Sequence, residues 1–244
     1  MTAAATVLEV SNVSRSFGEL AVLKNVSFSL AAGQSGAIIG PNGAGKTTLV
    51  NVICGVYPPS GGRIQLRGED VGGLEPHKIA RKCLVRTYQI TSLFQDLTVF
   101  ENIEVALIGR GKYRPVTDES LSSPAQILEL VGLQDEADRV VHELSHGDQR
   151  LLEIGVSVAF GPDVLLLDEP TAGMSPLETS RFITLVNNRL RGKCSIVLIE
   201  HDMEVVMKTT DKVCVLANGA VIAEDVPEKI GSNKFVREAY LGHS

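Results

Sequence analysis

The first part of the chain alternates between apolar and polar positions. Residues 7–13 and 26–30 follow a period of two, and residues 63–67 repeat it after a Gly-Gly pair. This period is typical of a β-strand that buries one face and exposes the other. The pattern therefore predicts a layer of antiparallel strands at the N-terminal edge of the molecule.

Three further runs are apolar at every position. They cover residues 37–39, 164–167 and 196–199. Strands that are buried on both faces of a parallel sheet have this composition. Ligands of open α/β sheets bind beyond the carboxyl ends of such strands, so the chemistry is expected at residues 40–48, 168–169 and 200–201.

The middle of the chain has helical spacing. Residues 125–131 and 149–159 repeat apolar positions at helical intervals, and Ser123-Pro124 is a favourable helix start. The stretch 109–123 is polar and contains Gly and Pro, so it predicts a loop. The region from about residue 90 to 160 is therefore expected to be mainly helical.

A β-hairpin is predicted near the C-terminus. Asn218-Gly219 separates the apolar runs 213–217 and 220–223, and this dipeptide favours the tight turns of hairpins. Together with the buried strands, the hairpin predicts an α/β fold with a mainly parallel sheet and an N-terminal antiparallel β layer.

Composition narrows the class of protein. The chain has 244 residues, of which 44% are hydrophobic and 21% charged, as in ordinary globular domains. Its net charge of −6 argues against a generally basic nucleic-acid binder, and 5% aromatic residues without Trp offer little base stacking. Its apolar runs are far shorter than the roughly 18 residues of a membrane-spanning helix. We therefore expect a globular chain that does not cross a bilayer.

Two features bear on the compartment. The first five residues lack the charged and apolar regions of a signal peptide, so none is expected. The four cysteines contain no closely spaced pair and predict buried thiols in a reducing compartment. They are Cys54, Cys83, Cys194 and Cys214.

A glycine-rich segment follows the first buried strand. Gly40-Pro41-Asn42-Gly43-Ala44-Gly45-Lys46-Thr47 fits the phosphate-loop pattern Gly-x-x-x-x-Gly-Lys-Ser/Thr and leads into a predicted helix at Thr48. Its N–H groups can converge on one anion, and the helix dipole adds positive potential. Lys46 is expected to reach the β- and γ-phosphates, and the Thr47 hydroxyl is expected to coordinate Mg²⁺.

Candidate catalytic side chains follow the other two buried strands. Asp168 is expected to be the second Mg²⁺ contact, and Glu169 the general base for the attacking water. The alternative is a pair of acids that cap the turn at Pro170. A neutral His201 could donate to the γ-phosphate and hold the water in line, although a single histidine is more often structural.

These motifs resemble, in the same order, those of the ATP-binding cassette ATPases over residues 7–242. The resemblance implies a P-loop NTPase core in which Phe17 stacks on adenine and residues 40–48 bind the phosphates. It implies that Gln89 contacts Mg²⁺ and the catalytic water and links them to a membrane partner. His201 matches the switch histidine of the family, and residues 173–176 fall at the D-loop that joins two subunits.

Residues 144–149 resemble the family's signature motif, whose usual form is Leu-Ser-Gly-Gly-Gln. The resemblance implies that the Ser145 hydroxyl and the Gly147 N–H bind the γ-phosphate held by a second subunit. His146 replaces the first glycine and Asp148 the glutamine, and both are expected at this trans nucleotide contact. For His146 we expect a substituent at the dimer seam, with a pH-dependent contact to the opposing nucleotide as the alternative.

A narrower resemblance is to the ATPase subunits of branched-chain amino acid importers and their urea and amide relatives. It rests on residues 98–103, 152–155, 171–176, 199–203 and 236–242. It implies a subunit that hydrolyses ATP with Mg²⁺ to energise import of a small polar solute. The implied partners are a second ATPase subunit, either a copy or a sibling, separate transmembrane permease subunits and, through them, a solute-binding protein. No nucleic-acid partner is expected. The chain is expected to be a peripheral subunit at the cytoplasmic face of the inner membrane.

The resemblance also implies how one domain over residues 1–244 is organised. About 1–88 and 161–244 are expected to form a RecA-like core with the antiparallel layer. About 89–160 are expected to form an inserted helical subdomain that contains the signature motif.

The resemblance implies a docking cleft for the permease beside Gln89, at residues 89–108. Six apolar side chains fall there among polar ones, so not all can face one core. They are Ile90, Leu93, Phe94, Leu97, Val99 and Phe100. Phe94 is expected to be an exposed docking anchor, and the alternative is that the six only form the start of a helical core.

Two other classes compete with a transporter subunit. Soluble ATPases of this type that act on DNA or ribosomes usually have a long coiled coil or two cassettes, and this chain has neither. A P-loop GTPase would recognise guanine through the motif Asn-Lys-x-Asp, which is absent from the sequence. Neither a GTPase nor a small-molecule kinase would explain the signature motif.

Overall fold

The structure is a computed structural model that describes residues 5–87, 93–111 and 121–241. Gln89 and Ile90, which the sequence singled out, lie outside the described residues. The chain folds into two β-sheets with helices packed around them.

The larger sheet contains the runs that are apolar throughout. Its strands are β3 (Ser35–Ile39), β6 (Leu84–Arg86), β7 (Val164–Asp168), β8 (Ser195–Ile199), β9 (Lys212–Ala217) and β10 (Ala220–Asp225). Their spatial order is β10-β9-β3-β8-β7-β6, and all neighbours are parallel except the β9-β10 hairpin. β3, β7 and β8 are buried along their whole length, as their composition predicts.

The smaller sheet is antiparallel and comes from the N-terminal part of the chain. Its strands are β1 (Thr6–Phe17), β2 (Leu20–Ala31), β4 (Gly61–Leu66) and β5 (Glu69–Asp70). They lie in the order β2-β1-β4-β5. Alternate residues near the end of β2, such as Val26, Phe28 and Leu30, are buried, which gives this layer one apolar face.

Helices cover both faces of the larger sheet. They are α1 (Lys46–Ile53), α2 (Pro76–Arg81), α3 (Val99–Gly111), α4 (Pro124–Val131), α5 (His146–Ala159), α6 (Pro176–Leu185), α7 (Met203–Thr209), α8 (Pro227–Ser232) and α9 (Lys234–Leu241). α3, α4 and α5 pack against one another and lie between β6 and β7 in the chain. A π-helical turn, Val186–Leu190, extends α6, and short 3₁₀ turns cover Gln134–Glu136 and Val141–Glu143.

The core has two parts, one on each face of the larger sheet. Successive residues of a strand point to opposite faces, so each buried strand contributes to both parts. In β7, Leu165 and Leu167 pack with the helices α3 to α6, whereas Leu166 packs with α1 and the antiparallel sheet. This two-sided burial explains why the strands are continuously apolar and confirms the predicted fold class.

Two predicted boundaries are wrong. α3 continues through residue 109 to Gly111, because the buried Arg110 donates to Ala159 O (3.2 Å) and Leu121 O (3.1 Å) and so anchors its last turn. α5 begins at His146 rather than at residue 149, because Ser145 Oγ accepts from the third N–H of the helix.

Two other expectations concern burial and membrane spans. Cys54, Cys194 and Cys214 are buried free thiols, but Cys83 is only half-buried, so the prediction for it is wrong. In the described part of the chain, no helix combines the length and the apolar character that a membrane crossing requires.

Candidate functional site

The carboxyl ends of three neighbouring strands meet at one edge of the larger sheet. Asp168, the last residue of β7, pairs with Ile199 at the end of β8, and β8 pairs in parallel with β3. Glu169 N donates to Ile199 O over 2.9 Å, which joins the turns that follow β7 and β8. The three segments that the sequence predicted to hold the chemistry therefore begin at the same edge.

Glycines determine the path of the predicted phosphate loop. Gly40, Gly43 and Gly45 have φ values of +152°, +77° and +101°, which residues with a side chain rarely adopt. A Cβ on Gly40 would lie 2.0 Å from Leu216 O, so the loop is pressed against β9. The backbone can follow this path only with glycine at these positions.

The rest of the loop forms a compact turn in front of α1. Pro41 O accepts from Ala44 N over 3.2 Å, and Ala44 is buried. Asn42 and Thr47 are exposed, and Thr48 is partly buried in the first turn of α1. The Thr47 hydroxyl is therefore accessible to solvent beside the N-terminus of the helix.

Lys46 lies inside the loop and close to the two carboxylates. Its Nζ donates to Gly40 O (2.7 Å) and Pro41 O (3.1 Å). Burial lowers the pKa of Lys46, and the negative charges of Glu169 and Asp168 oppose that shift. The ammonium therefore lies within the loop and near the carboxylates at the end of β7.

Asp168 is held by a buried ion pair that the sequence reasoning missed. Arg86 Nη2 donates to Asp168 Oδ2 and Arg86 Nη1 donates to Asn51 Oδ1, each over 2.7 Å. Only 9% of the Arg86 side chain and 5% of the Asp168 side chain are exposed. The available signal was an arginine three residues before Gln89 in the Arg-Thr-Tyr-Gln segment.

Glu169 has an unusual backbone conformation. Its φ is +47°, in the left-handed region that few residues other than glycine occupy. Two hydrogen bonds hold it there, from Glu169 N to Ile199 O and from Ala172 N to Glu169 O (3.2 Å). Strained residues of this kind concentrate at functional sites.

His201 is exposed, and a buried carboxylate lies beneath it. Glu200 Oε2 accepts from His201 N over 3.1 Å, and Glu200 Oε1 accepts from Thr171 Oγ1 over 2.6 Å. Glu200 therefore ties the turn after β8 to the turn after β7. The sequence placed it at the sheet edge but gave it no role.

Phe17 lies at the β1–β2 hairpin with two neighbours. Its ring meets Tyr57 edge to face, with centroids 5.1 Å apart, and the Arg15 guanidinium lies 4.6 Å from its centroid. Phe17 is also exposed. The arrangement provides an exposed aromatic surface that could stack on a flat ring.

The signature segment forms the N-terminus of α5 and is tied to α6. Ser145 Oγ accepts from Asp148 N over 3.1 Å, and Asp148 Oδ1 accepts from Arg181 over 2.8 Å. Gly147 N donates to Glu178 Oε1 over 3.1 Å. Ser145 is exposed at the surface, whereas Gly147 is buried against Glu178.

His146 joins the signature segment to the predicted D-loop. Its side chain is exposed, and a Cβ on Gly173 would lie 3.4 Å from His146 Cε1. Across the described ranges, no hydrogen bond or ion pair connects the signature segment to the phosphate loop. The structure therefore brings most of the predicted residues together at one sheet edge and groups the signature residues with the D-loop.

Comparison with known proteins identifies the family. The family model described as ABC transporter matches residues 23–172, which is more than half of the chain. The chain belongs to the ABC transporter family. Its fold and its ATP-binding, ATP-hydrolysing class are those of the ATPase subunits of this family, as the sequence predicted.

Individual ABC proteins are similar over nearly the whole chain. The high-affinity branched-chain amino acid transport ATP-binding protein BraF of Pseudomonas aeruginosa is 41% identical, with 98% of each chain covered. The corresponding LivG of Escherichia coli K12 is 39% identical with the same coverage. The crystal structure of an ATP-binding cassette of an ABC transporter in its ADP conformation matches with a TM-score of 0.86 at 32% identity, covering 97% of this chain and 99% of that chain.

The similarity decides between the classes considered from the sequence. An ABC transporter ATPase is confirmed, and a soluble ATPase that acts on DNA or ribosomes is not favoured. The roles of the individual site residues, the division into core and helical subdomain, and the partners stay predictions.

The residues at the sheet edge fit a Mg²⁺ ion held together with a nucleotide. Mg²⁺ prefers oxygen ligands and is usually bound by one or two protein groups with phosphates and water. Thr47 offers an exposed hydroxyl, and Asp168 offers a carboxylate at the end of β7. Gln89, the third predicted ligand, lies outside the described residues.

Proposed function

We propose that this chain is the ATP-hydrolysing subunit of an importer for branched-chain amino acids or a related small polar solute. The observation that carries the proposal is the convergence of the glycine loop, Asp168, Glu169 and His201 at one sheet edge. The solute class is supported by the names of relatives that match over 98% of the chain.

The first half of the ATP site is formed within one subunit. The backbone N–H groups of residues 40–48 and the Lys46 ammonium bind the phosphates, which lie at the N-terminus of α1. Phe17 stacks on the adenine. Thr47, Asp168 and Gln89 would hold Mg²⁺ together with ATP, and the ion would supply positive charge that offsets the charge of the phosphates.

Hydrolysis follows from the residues at the ends of β7 and β8. Glu169 accepts a proton from the water that attacks in line with the γ-phosphate, as a general base. His201 donates to the γ-phosphate and orients that water, while Glu200 fixes the backbone of His201. The strained φ of Glu169 supports this role, because such backbone strain concentrates at functional sites.

The second half of the site comes from another subunit. The trans contact is made by Ser145, His146, Gly147 and Asp148. Together they offer a hydroxyl and the N–H groups of a helix N-terminus to the γ-phosphate. A solved structure of an ATP-binding cassette with 26% identity and a TM-score of 0.74 is described as dimeric and bound to ADP and Pi, which supports such an assembly.

The permease docks beside the helices between β6 and β7. A cavity of about 400 Å³ opens there, lined by residues of α2, β6, α3 and α5 or next to their ends, which include Ile79, Cys83, Arg86, Arg110 and Phe160. Exposed apolar side chains lie on α3 and just before it, namely Phe94, Phe100, Val105 and Ile108. Because Arg86 also binds Asp168, a permease segment in this cavity would contact a residue that holds the Mg²⁺ carboxylate.

Docking to a permease would hold this chain at the cytoplasmic face of the inner membrane as a peripheral subunit. Through the permease, the importer would receive solute from a separate solute-binding protein. The second ATPase subunit is a copy of this chain or a sibling.

The proposal is tested by purification of the native complex through a tag on this chain, followed by uptake measurements. A membrane-spanning permease should co-purify. Uptake of labelled leucine should fall when the chain is deleted and return with the wild type but not with Lys46→Ala. Recovery on ribosomes or DNA without a permease would contradict the proposal, and loss of urea uptake alone would assign the related solute class.

A further inference from the structure

The N-terminus of α5 already binds an anion, the carboxylate of Glu178. Glu178 Oε1 accepts from Gly147 N over 3.1 Å and lies 3.1 Å from Ser145 Oγ, whose single proton it shares with Asp148 Oδ2 at 2.9 Å. These two donors are the ones that the proposed function assigns to the γ-phosphate of the second subunit. A carboxylate of the same chain thus occupies the donors that a phosphate of the other subunit must reach.

The fit around this carboxylate is close. A Cβ on Gly147 would lie 2.3 Å from Glu178 Oε1 and 2.4 Å from Cδ, so only glycine leaves room for the contact. Hydrogen bonds from Ser175 and Ser145 lower the pKa of Glu178 to about 2. The group is therefore a fully ionised anion at any physiological pH.

The two oxygens of Glu178 have different partners. Oε2 accepts from Ser175 N and from Ser175 Oγ, each over 2.8 Å, which forms a capping box at the start of α6. Oε1 is the oxygen that contacts the signature segment. The capping role and the signature contact can therefore be separated by substitution, because a capping box accepts Gln as well as Glu.

We propose that Glu178 is an intramolecular substitute for the γ-phosphate, which keeps the signature segment occupied until a second subunit delivers ATP. The inference rests on the proposed function, since it assumes that Ser145 and Gly147 bind ATP in trans. Two anions cannot share the same donors without strong repulsion. Closure of the dimer around ATP therefore requires Oε1 to release the signature segment, and this requirement raises the ATP concentration at which the subunits associate.

A purely structural role for Glu178 predicts the opposite effect of removing it. If the carboxylate only kept Ser145 and Gly147 in place, its loss would loosen the signature segment and weaken ATP-driven dimerisation. Under our proposal its loss strengthens dimerisation, even in a variant whose fold is less stable.

The test uses the full chain with Glu169→Gln, in which ATP is expected to remain bound. Sedimentation velocity measures the ATP concentration at half-maximal dimerisation, and a filter assay measures ATP binding. Adding Glu178→Gln keeps the capping box but removes the anion, and Glu178→Ala removes both. The matched control is Glu101→Gln, because Glu101 caps α3 through Thr98 N (2.7 Å) and does not contact the signature segment.

We expect Glu178→Gln and Glu178→Ala to lower the ATP concentration required by at least about threefold, since a charge-assisted contact is stronger than a neutral one. Glu101→Gln should leave it unchanged. An unchanged or higher requirement in Glu178→Gln, while the parent chain binds ATP, overturns the inference and leaves the proposed function intact. Absence of ATP binding in every variant overturns both.

Discussion

Arg86 binds the Asp168 carboxylate from within the protein, with Nη2 2.7 Å from Oδ2. The other terminal nitrogen of the guanidinium binds Asn51 on α1, so one side chain connects β6, β7 and the helix that follows the phosphate loop. The orientation of the proposed Mg²⁺ carboxylate is therefore set by a buried cation. Arg86 also lines the cavity proposed for the permease.

Removing this cation should cost much stability. Arg86→Ala leaves a buried carboxylate without its partner, which typically costs about 3–5 kcal/mol. The free energy of unfolding in urea measures the loss. The control is Arg67→Ala, which removes an ion pair with Asp163. The Arg67 side chain is 61% exposed, so its loss should lower the free energy of unfolding by less than about 1 kcal/mol. Equal losses in the two variants would show that the buried Arg86–Asp168 pair contributes no more to the free energy of unfolding than an exposed pair does.

The sequence predicted the elements whose burial is extreme. Short continuous apolar runs bounded by turn residues are typical of strands covered on both faces, and the glycines of residues 40–45 are required by positive φ and by close packing against β9. Both features leave a direct trace in residue types. This is why the parallel sheet, the hairpin and the position of the candidate site could be predicted.

Contacts between distant segments could not be predicted in the same way. Arg86 and Asp168, or Gly147 and Glu178, are far apart in the chain, and only the fold brings them together. The last turn of α3 was missed for the same reason, because Arg110 is anchored by carbonyls outside its helix. Residue patterns report local periodicity, whereas these contacts depend on tertiary structure.

Lys46→Ala should weaken ATP binding by about ten- to hundredfold, because a charge-assisted hydrogen bond is worth about 1.5–3 kcal/mol. The substitution also frees the carbonyls of Gly40 and Pro41, so the fold is checked by circular dichroism. Isothermal titration calorimetry measures the affinity. The control is Lys78→Ala, which removes an exposed lysine of α2 that pairs with Glu75. This variant should bind ATP like the wild type. Equal affinity in all three proteins would refute the assignment of the phosphate loop.

Phe94→Asp should leave the fold and ATP binding intact but disrupt binding to the permease. The side chain is 55% exposed, whereas its backbone is held by Asn102, whose Oδ1 accepts from Phe94 N over 2.9 Å. This agrees with the predicted docking anchor rather than with a core position; Leu93 and Val99, in contrast, are buried. A docking hot spot costs about 2 kcal/mol or more, roughly thirtyfold in affinity.

Co-purification with the permease measures this loss, with Phe235→Asp as the control. Phe235 is an exposed phenylalanine on α9, away from the proposed docking region, and its substitution should leave co-purification unchanged. Full solute uptake by a folded Phe94→Asp variant would exclude Phe94 as an anchor. An equal defect in both variants would point to a general effect of added charge.

The most direct test of ATP hydrolysis at this sheet edge is the turnover rate of Glu169→Gln, measured beside its ATP affinity. The amide cannot act as a base, so we expect ATP to bind as in the wild type while hydrolysis slows by about 10²–10⁴-fold. Dimers with ATP between the subunits should then accumulate. A Glu169→Gln protein that hydrolyses ATP at the wild-type rate would contradict the account, because the base would then have to be another residue.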